Sequence, residues 1–195
     1  MSDVIDIVSH HEPEPDSNPW VQGKPPEEEI DVVVYDPRWP EMFVELAKAI
    51  ETALGEVALR IDHIGSTAVP GLAAKPVIDM DLTVQDPADE ETYVNALEKL
   101  DYQLIIREPD WHQHRCLRLD APRVNLHVFG PDCPENIRHL LFRDWLRAHP
   151  EERELYEQAK RAALVGARYV MDYNLSKQPV IRDIYARVFR AAGLI

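Results

Sequence analysis

The stretch Ile78-Asp79-Met80-Asp81-Leu82-Thr83-Val84 decides how the rest of the chain is read. Successive side chains of a strand point to opposite faces, so Ile78, Met80, Leu82 and Val84 make one apolar face and Asp79 and Asp81 share the other. Two Cα atoms two residues apart along a strand lie about 6.5–7 Å apart, which lets both carboxylates reach one hard cation. An ordinary strand with a polar outer face would carry the same pattern. The residues just upstream bear on that choice. Ala58-Leu59-Arg60-Ile61-Asp62-His63-Ile64 alternates like a strand and runs into Gly65-Ser66-Thr67-Ala68-Val69-Pro70-Gly71. A glycine there lets the backbone approach a ligand, and the serine offers a hydroxyl and an amide to a phosphate oxygen. Gly65, Gly71 and Lys75 do not fit GxxxxGK[ST], and Pro70 and Pro76 break the helix that a P-loop needs, so that motif is excluded.

Outward from this centre, the chain reads as strands first and helices last. A strand is expected over Ile30–Tyr35. A helix from about Pro40 carries Phe43, Leu46, Ile50 and Leu54 on one face and stops at Gly55. A further helix holds Tyr93, Val94, Leu97 and Leu100, and three strands follow at Leu104–Arg107, Arg115–Leu119 and Val124–Phe129. The last third takes helical period: one helix through Ile137, Leu140, Leu141 and Leu146, a second over about Glu151–Tyr169, and a third from near Ser176 with Pro179 in its first turn. The sum is an α+β (mixed α/β) fold: a mixed sheet with flanking helices and a C-terminal helical cap.

The chain of 195 residues is one ordinary domain in length, with a formal net charge of −14. Residues 1–31 hold nine acidic side chains against Lys24 alone, leaving −6 for the remainder. With its prolines and few apolar residues, the stretch 1–29 is expected to be a disordered acidic tail preceding a domain at 30–195. Net acidity lacks the electrostatic footprint of a nucleic-acid binder, though a small phosphorylated ligand can be held by local donors. No apolar run approaches the ~18 residues of a membrane span. The Met1–Asp6 start does not read as a signal peptide, and Cys116 and Cys133 match no disulfide or CxxC pattern. A cytoplasmic protein without a membrane partner is the expectation.

The longest unusual words are His63-Ile64-Gly65-Ser66-Thr67-Ala68-Val69-Pro70-Gly71-Leu72-Ala73-Ala74-Lys75-Pro76-Val77-Ile78-Asp79, Tyr35-Asp36-Pro37-Arg38-Trp39-Pro40, Asn125-Leu126-His127-Val128 and Phe142-Arg143-Asp144-Trp145-Leu146-Arg147-Ala148-His149-Pro150. Together with Tyr156/Lys160 and Tyr173/Lys177, they resemble the GrpB-like family, which is placed in the nucleotidyltransferase superfamily. The resemblance spans about residues 23–195. It implies a nucleotidyltransferase-like fold in which Gly65 and Ser66 grip a triphosphate and Asp79 and Asp81 hold Mg²⁺ or Mn²⁺. It also implies transfer of a nucleotidyl group from a nucleoside triphosphate to an acceptor. Such proteins carry a third carboxylate on a neighbouring strand. Here that place falls on Val124–Phe129, where Asn125 and His127 share a face and no acid occurs.

Around this centre His127 is a candidate metal ligand, general base or phosphate contact, with a hydrogen-bonded structural histidine the equal alternative. Thr67, Lys75 and Asn125 are candidate substrate contacts; for Lys75 a solvated lysine or a structural ion pair is the competing reading. His112 and His114 could join His63 and His127 in a transition-metal site, although His-x-His in a loop is commonly no such thing. His10-His11 belongs to the tail. Arg143 and Arg147, one helical turn apart, could reach phosphates but read more simply as a solvated face. Two further classes stay open: a degenerate fold that binds a nucleotide or phosphorylated metabolite without turnover, and a metal-dependent phosphohydrolase using Asp79, Asp81 and histidines.

Overall fold

The structure is a computed structural model that describes residues 4–12, 17–25, 31–165 and 170–195. Its centre is β2, Ile78–Thr83, with apolar neighbours on both sides. Arg60–Ile64 forms β1, antiparallel to β2, and Val124–Phe129 forms β5, parallel to it. His114–Leu119 (β4) and Gln103–Glu108 (β3) complete an antiparallel meander, giving the order β1-β2-β5-β4-β3 among the described residues. The mixed sheet expected from the period-2 segments is therefore present, with helices on both faces.

The face of the central strands formed by their even-numbered residues is the core. Met80, Leu82, Leu126 and Val128 are fully buried there against Ile50 and Leu54 of α2 (Trp39–Leu54) and Leu97 of α3 (Val94–Glu98). Burying each such side chain stabilises the fold by about 1.5–3 kcal/mol. Helix α2 begins with Pro40 in its first turn, where the missing N–H costs nothing, and ends at Gly55, whose φ of 54° suits glycine. The other face carries Asp79 and Asp81 and is roofed by α4 (Pro134–Ala148), α5 (Pro150–Leu164) and α6 (Val170–Ala191). Their own core joins Leu146, Tyr156, Ile184, Tyr185 and Phe189 to Val69 and Leu72 of the β1–β2 loop.

Three local expectations are corrected. The 30–35 strand is reduced to a single bridge, Val33 with Ala74, while Val34 is left exposed and Tyr35 packs on the core; Ile30 lies outside the described residues. Helix α6 is already formed at Val170, so Pro179 sits inside it. A proline there forfeits about 3 kcal/mol, and burial of Tyr173, Ile184, Val188 and Phe189 offsets the loss. The second C-terminal helix ends at Leu164; the end of its expected range, 166–169, lies outside the described residues.

The described parts of the N-terminal stretch are seated on the domain, unlike the tail that composition suggests. Val4–Val8 forms α1, a short helix whose Ile7 is buried in the α4–α6 cluster. Arg138 of α4 donates to the carbonyls of Ile7 (2.7 Å) and Ser9 (2.6 Å). Further on, Val21 donates to Ile105 and Arg107 to Pro19, so this segment pairs with β3 where its register shifts and covers an open sheet edge. Average composition hid two short apolar anchors, Ile7 and Trp20. Ile7→Asp is therefore expected to release residues 4–12, read as faster amide hydrogen exchange in that segment with β2 and β5 still protected.

Candidate functional site

The polar face of β2 continues sideways in strict register. Ile64, Asp79, Asn125 and Arg118 form one row across the sheet; Asp62, Asp81, His127 and Cys116 form the next. The registry follows from the apolar pattern, because a one-residue slip of β5 would put Leu126 and Val128 on the charged face. Asp81 has no exposure at all. A buried carboxylate needs partners, and His139 of α4 supplies one, its Nδ1 lying 2.9 and 3.1 Å from the two Asp81 oxygens. Burial alone would push this imidazole down, but the Asp81 charge and hydrogen bond, with Glu135, outweigh it and raise the group to about 9. His139 is thus an imidazolium at neutral pH, and Nδ1–H donates to Asp81.

Asp79 is held differently. Asn125 Nδ2 donates to its Oδ1 at 2.8 Å. Gly65, at the end of β1, passes so close that a Cβ there would stand 2.5 Å from Asp79 Oδ2, and its φ is 67°. The glycine is required twice, for conformation and for room. The following turn, Ser66–Ala68, places Ser66 beside Tyr156 and Lys160 of α5: the serine hydrogen-bonds the tyrosine hydroxyl, and Lys160 Nζ donates to Ser66 Oγ at 3.3 Å and to the Ala73 carbonyl. Burial lowers Lys160 to about 7, with Lys177 adding to the effect. Lys177, on α6, is lowered by burial to about 8 while the Asp79 charge opposes the shift. Its ammonium lies 4.6 Å from the Tyr173 ring centre, and Lys75 reaches the same ring at 5.9 Å.

Of the residues singled out in the sequence, Gly65, Ser66, Asp79, Asp81, Asn125 and His127 come together on this face, with Lys75 near Tyr173 at its border. Thr67 is turned inward: its hydroxyl donates to the Val77 carbonyl and accepts from His63 Nε2, both at 3.0 Å. His63 lies on the opposite face, stacked on Phe43 at 4.7 Å, where burial, with Arg147 and Arg143, drives it down to about 4. The four-histidine metal site is therefore not formed. His63 faces the core, and His114 spends both nitrogens on Glu108 (2.7 Å) and His127 (3.0 Å). Among the described residues no group of three or more His, Cys, Asp or Glu side chains is placed to hold a metal ion. Arg147 stays exposed, as a solvated face would have it, while Arg143 is half-buried; both nevertheless donate to backbone carbonyls, of Ala68 and His63 respectively, and fasten the glycine-serine loop to α4. His139, Lys160 and Lys177 form much of the site's wall, yet nothing local marked His139: its partner is 58 residues away. The recurring Tyr-x-x-x-Lys spacing of Tyr156/Lys160 and Tyr173/Lys177 was the available signal for the lysines.

A family model described as "GrpB protein" matches residues 29–187. The chain belongs to the GrpB family. A relative in Halalkalibacterium halodurans, the UPF0157 protein BH1888, is 47% identical over 165 residues, spanning 84% of this chain and 85% of that one. The crystal structure of GrpB from Enterococcus faecalis superposes with a TM-score of 0.74 at 31% identity, covering 83% of this chain and 99% of that one. The dephospho-CoA kinase of Mycolicibacterium paratuberculosis is 33% identical over 187 residues, which span 82% of this chain but 46% of that larger protein. Among the described residues no helix is long and apolar enough to cross a membrane. Both cysteines are buried free thiols.

Two outcomes follow from this GrpB-family site. Because folding raises His139 from 6.5 to about 9, its contribution to stability is complete below pH 6.5 and is lost as pH climbs to about 9. Chemical denaturation across pH 6–10 should show that decline, and His139→Gln, which keeps a donor but no charge, should flatten it. Gly65→Ala should lower stability by about 1–3 kcal/mol and displace the Asp79 carboxylate, seen as a lower Tm and altered Asn125 side-chain amide signals.

Proposed function

We propose that this GrpB-family protein binds a nucleoside triphosphate, or another small phosphorylated ligand, between the glycine-serine loop and the C-terminal helices, and transfers a nucleotidyl group to an acceptor. The observation that carries the reading is one continuous face that joins Ser66, Lys160 and Lys177 to the Asp79/Asp81 pair. Ser66 and the two ammoniums offer hydrogen bonds and charge to phosphate oxygens. Backbone freedom at Gly65 lets the loop and a phosphate approach each other. Desolvated lysines gain most from an arriving anion, since a buried positive charge is costly until it is paired.

Two carboxylates do not make an all-protein cage, but they match what Mg²⁺ or Mn²⁺ takes when phosphate oxygens and water fill its other positions. Asp79 and Asp81 would hold that ion, which supplies charge neutralisation on the phosphates when bound. Asn125 keeps the Asp79 carboxylate aligned through its 2.8 Å bond. His127, the register partner of Asp81, takes the proton of the acceptor hydroxyl as its oxygen bonds to the α-phosphorus. The bond from that phosphorus to the departing pyrophosphate breaks in the same displacement.

A second reading has its own support: a binding module without turnover. Asn125 and His139 already occupy the carboxylates, and His139 brings a positive charge to Asp81. Calorimetry with each nucleoside triphosphate and Mn²⁺, followed by transfer assays with a pool of acceptors, separates the two. Lys160→Met should weaken triphosphate binding by about 1.5–3 kcal/mol, roughly ten- to a hundredfold. Asp79→Ala should remove metal-dependent transfer. Binding without product in the parent protein favours the second reading, and equal turnover in parent and Asp79→Ala sinks the first.

A further inference from the structure

The polar row does not end at His127. Register sets Cys116 opposite His127, and His114, two residues back along β4 and opposite Glu108 of β3, reaches His127 diagonally, so a polar chain runs slantwise from His127 to the sheet edge. Glu108 Oε2 lies 2.7 Å from His114 Nδ1, and His114 Nε2 lies 3.0 Å from His127 Nδ1. Aromatic rings shut the middle of this chain from water: the His114 ring lies against both His127 and Phe129, at 5.2 and 4.7 Å, and Trp111 meets it edge-on at 5.1 Å. Trp111 is itself covered by His11 of the N-terminal segment at 4.7 Å. Behind these rings His114 is only 3% exposed, and burial disfavours a charge on either imidazole.

Burial raises Glu108 above the usual carboxylate range; with that carboxyl ionised and both imidazoles neutral, proton counting leaves one arrangement. A neutral imidazole carries a single N–H. The Glu108 carboxylate only accepts, so the His114 proton is on Nδ1 and its Nε2 is an acceptor. The donor to that nitrogen is His127 Nδ1–H, and His127 Nε2 is left as a bare lone pair. Among the described residues it takes no hydrogen bond. Isolated histidine favours the opposite tautomer, with its proton on Nε2, so the row imposes a form that a lone strand histidine would not choose.

We infer that Glu108 and His114 are positioning residues that lock His127 in its Nδ1–H tautomer and so present Nε2 as the base for the acceptor. The inference rests on the transfer reading above for the acceptor alone; the tautomer stands on hydrogen-bond geometry. In the step itself the acceptor O–H breaks, its proton goes to His127 Nε2, and the oxygen's electron pair forms the new bond to phosphorus. The resulting imidazolium keeps its Nδ1–H on His114, whose own Nδ1–H remains on Glu108. The row therefore steadies the positive charge without passing on a proton, the same division of labour as in a base oriented by a third group.

Two-bond ¹H–¹⁵N spectra of the imidazole rings, recorded near neutral pH on the uniformly ¹⁵N-labelled full chain without ligand, read the tautomers directly. His114 and His127 should each show a protonated Nδ1 and an unprotonated Nε2. Glu108→Leu removes the terminal acceptor and should return His127 to the Nε2–H form. Glu108→Gln, which retains an accepting oxygen and perturbs packing least, should keep the parent pattern. A His127 proton on Nε2 in the parent, or spectra unchanged in Glu108→Leu, overturns the lock. In transfer assays Glu108→Leu should lower kcat by about 10²-fold with little change in KM. An unchanged kcat alongside a switched tautomer would remove the base role. Since the spectra need no substrate, a failure of the transfer reading leaves the lock separately decided.

Discussion

The structure turns on the cost of placing two carboxylates on the buried side of a central strand. An uncompensated charge in that position would shift or destabilise the fold by several kcal/mol, so each oxygen acquires a reason to be there. Asp81, fully buried, is answered by the His139 imidazolium from α4. Asp79 is answered by Asn125 from the neighbouring strand and by the nearby charge of Lys177 from α6. Gly65 is small because Asp79 fills the space where its side chain would be. The helical roof is thereby tied to the sheet by polar contacts, while its apolar contacts attach to the loop between β1 and β2.

That division explains what could be read from the chain before its fold was known. Strand β2 was legible because alternation sorts its residues without help from other segments, and β5 coincides with its expected span, Val124–Phe129, for the same reason. Their pairing in register then made Asn125 and His127 neighbours of the aspartates. His139 was invisible: it sits on an amphipathic helix beside Arg138 and Leu140, and its partner is fixed only when α4 lands on the sheet. Arg143 and Arg147 had the spacing of a solvated pair, yet both reach backbone carbonyls that no pattern could predict. In the described parts of the N-terminal stretch, averaging over acids and prolines conceals the few residues that make contact, Ile7 in the roof and Trp20 in its bridge to Ile106. Pro179 argued for a helix start, and the tertiary burial around it won.

Charge is distributed along the site rather than across it. At the Asp79 end stand Ser66, Lys160 and Lys177, donors with positive charge; at the far end stand His127, His114 and Glu108, a row that finishes in a carboxylate. The first end suits an anion, and the second suits a group that gives up a proton. A chain of net charge −14 can accommodate the anion because attraction comes from two nearby ammoniums in a low-dielectric wall, while the concentration of acids in residues 1–31 is screened by salt over about 8–10 Å.

The neutral histidines and the charged one are consequences of the same arrangement. His114 is enclosed by Trp111, Phe129 and His127, so protonating it would bury a charge, whereas His139 meets a carboxylate that is itself fully enclosed. Burial is the main reason His127 stays neutral, and a charge there would also stand beside the His139 ring, whose centre is 6.0 Å away. Rings of one chemical type on one face therefore take opposite roles, one a permanent counter-charge and the other a lone pair. Fixing the first is what holds Asp81 in place; fixing the second depends on Glu108, through the two short bonds that join it to His114 and His114 to His127.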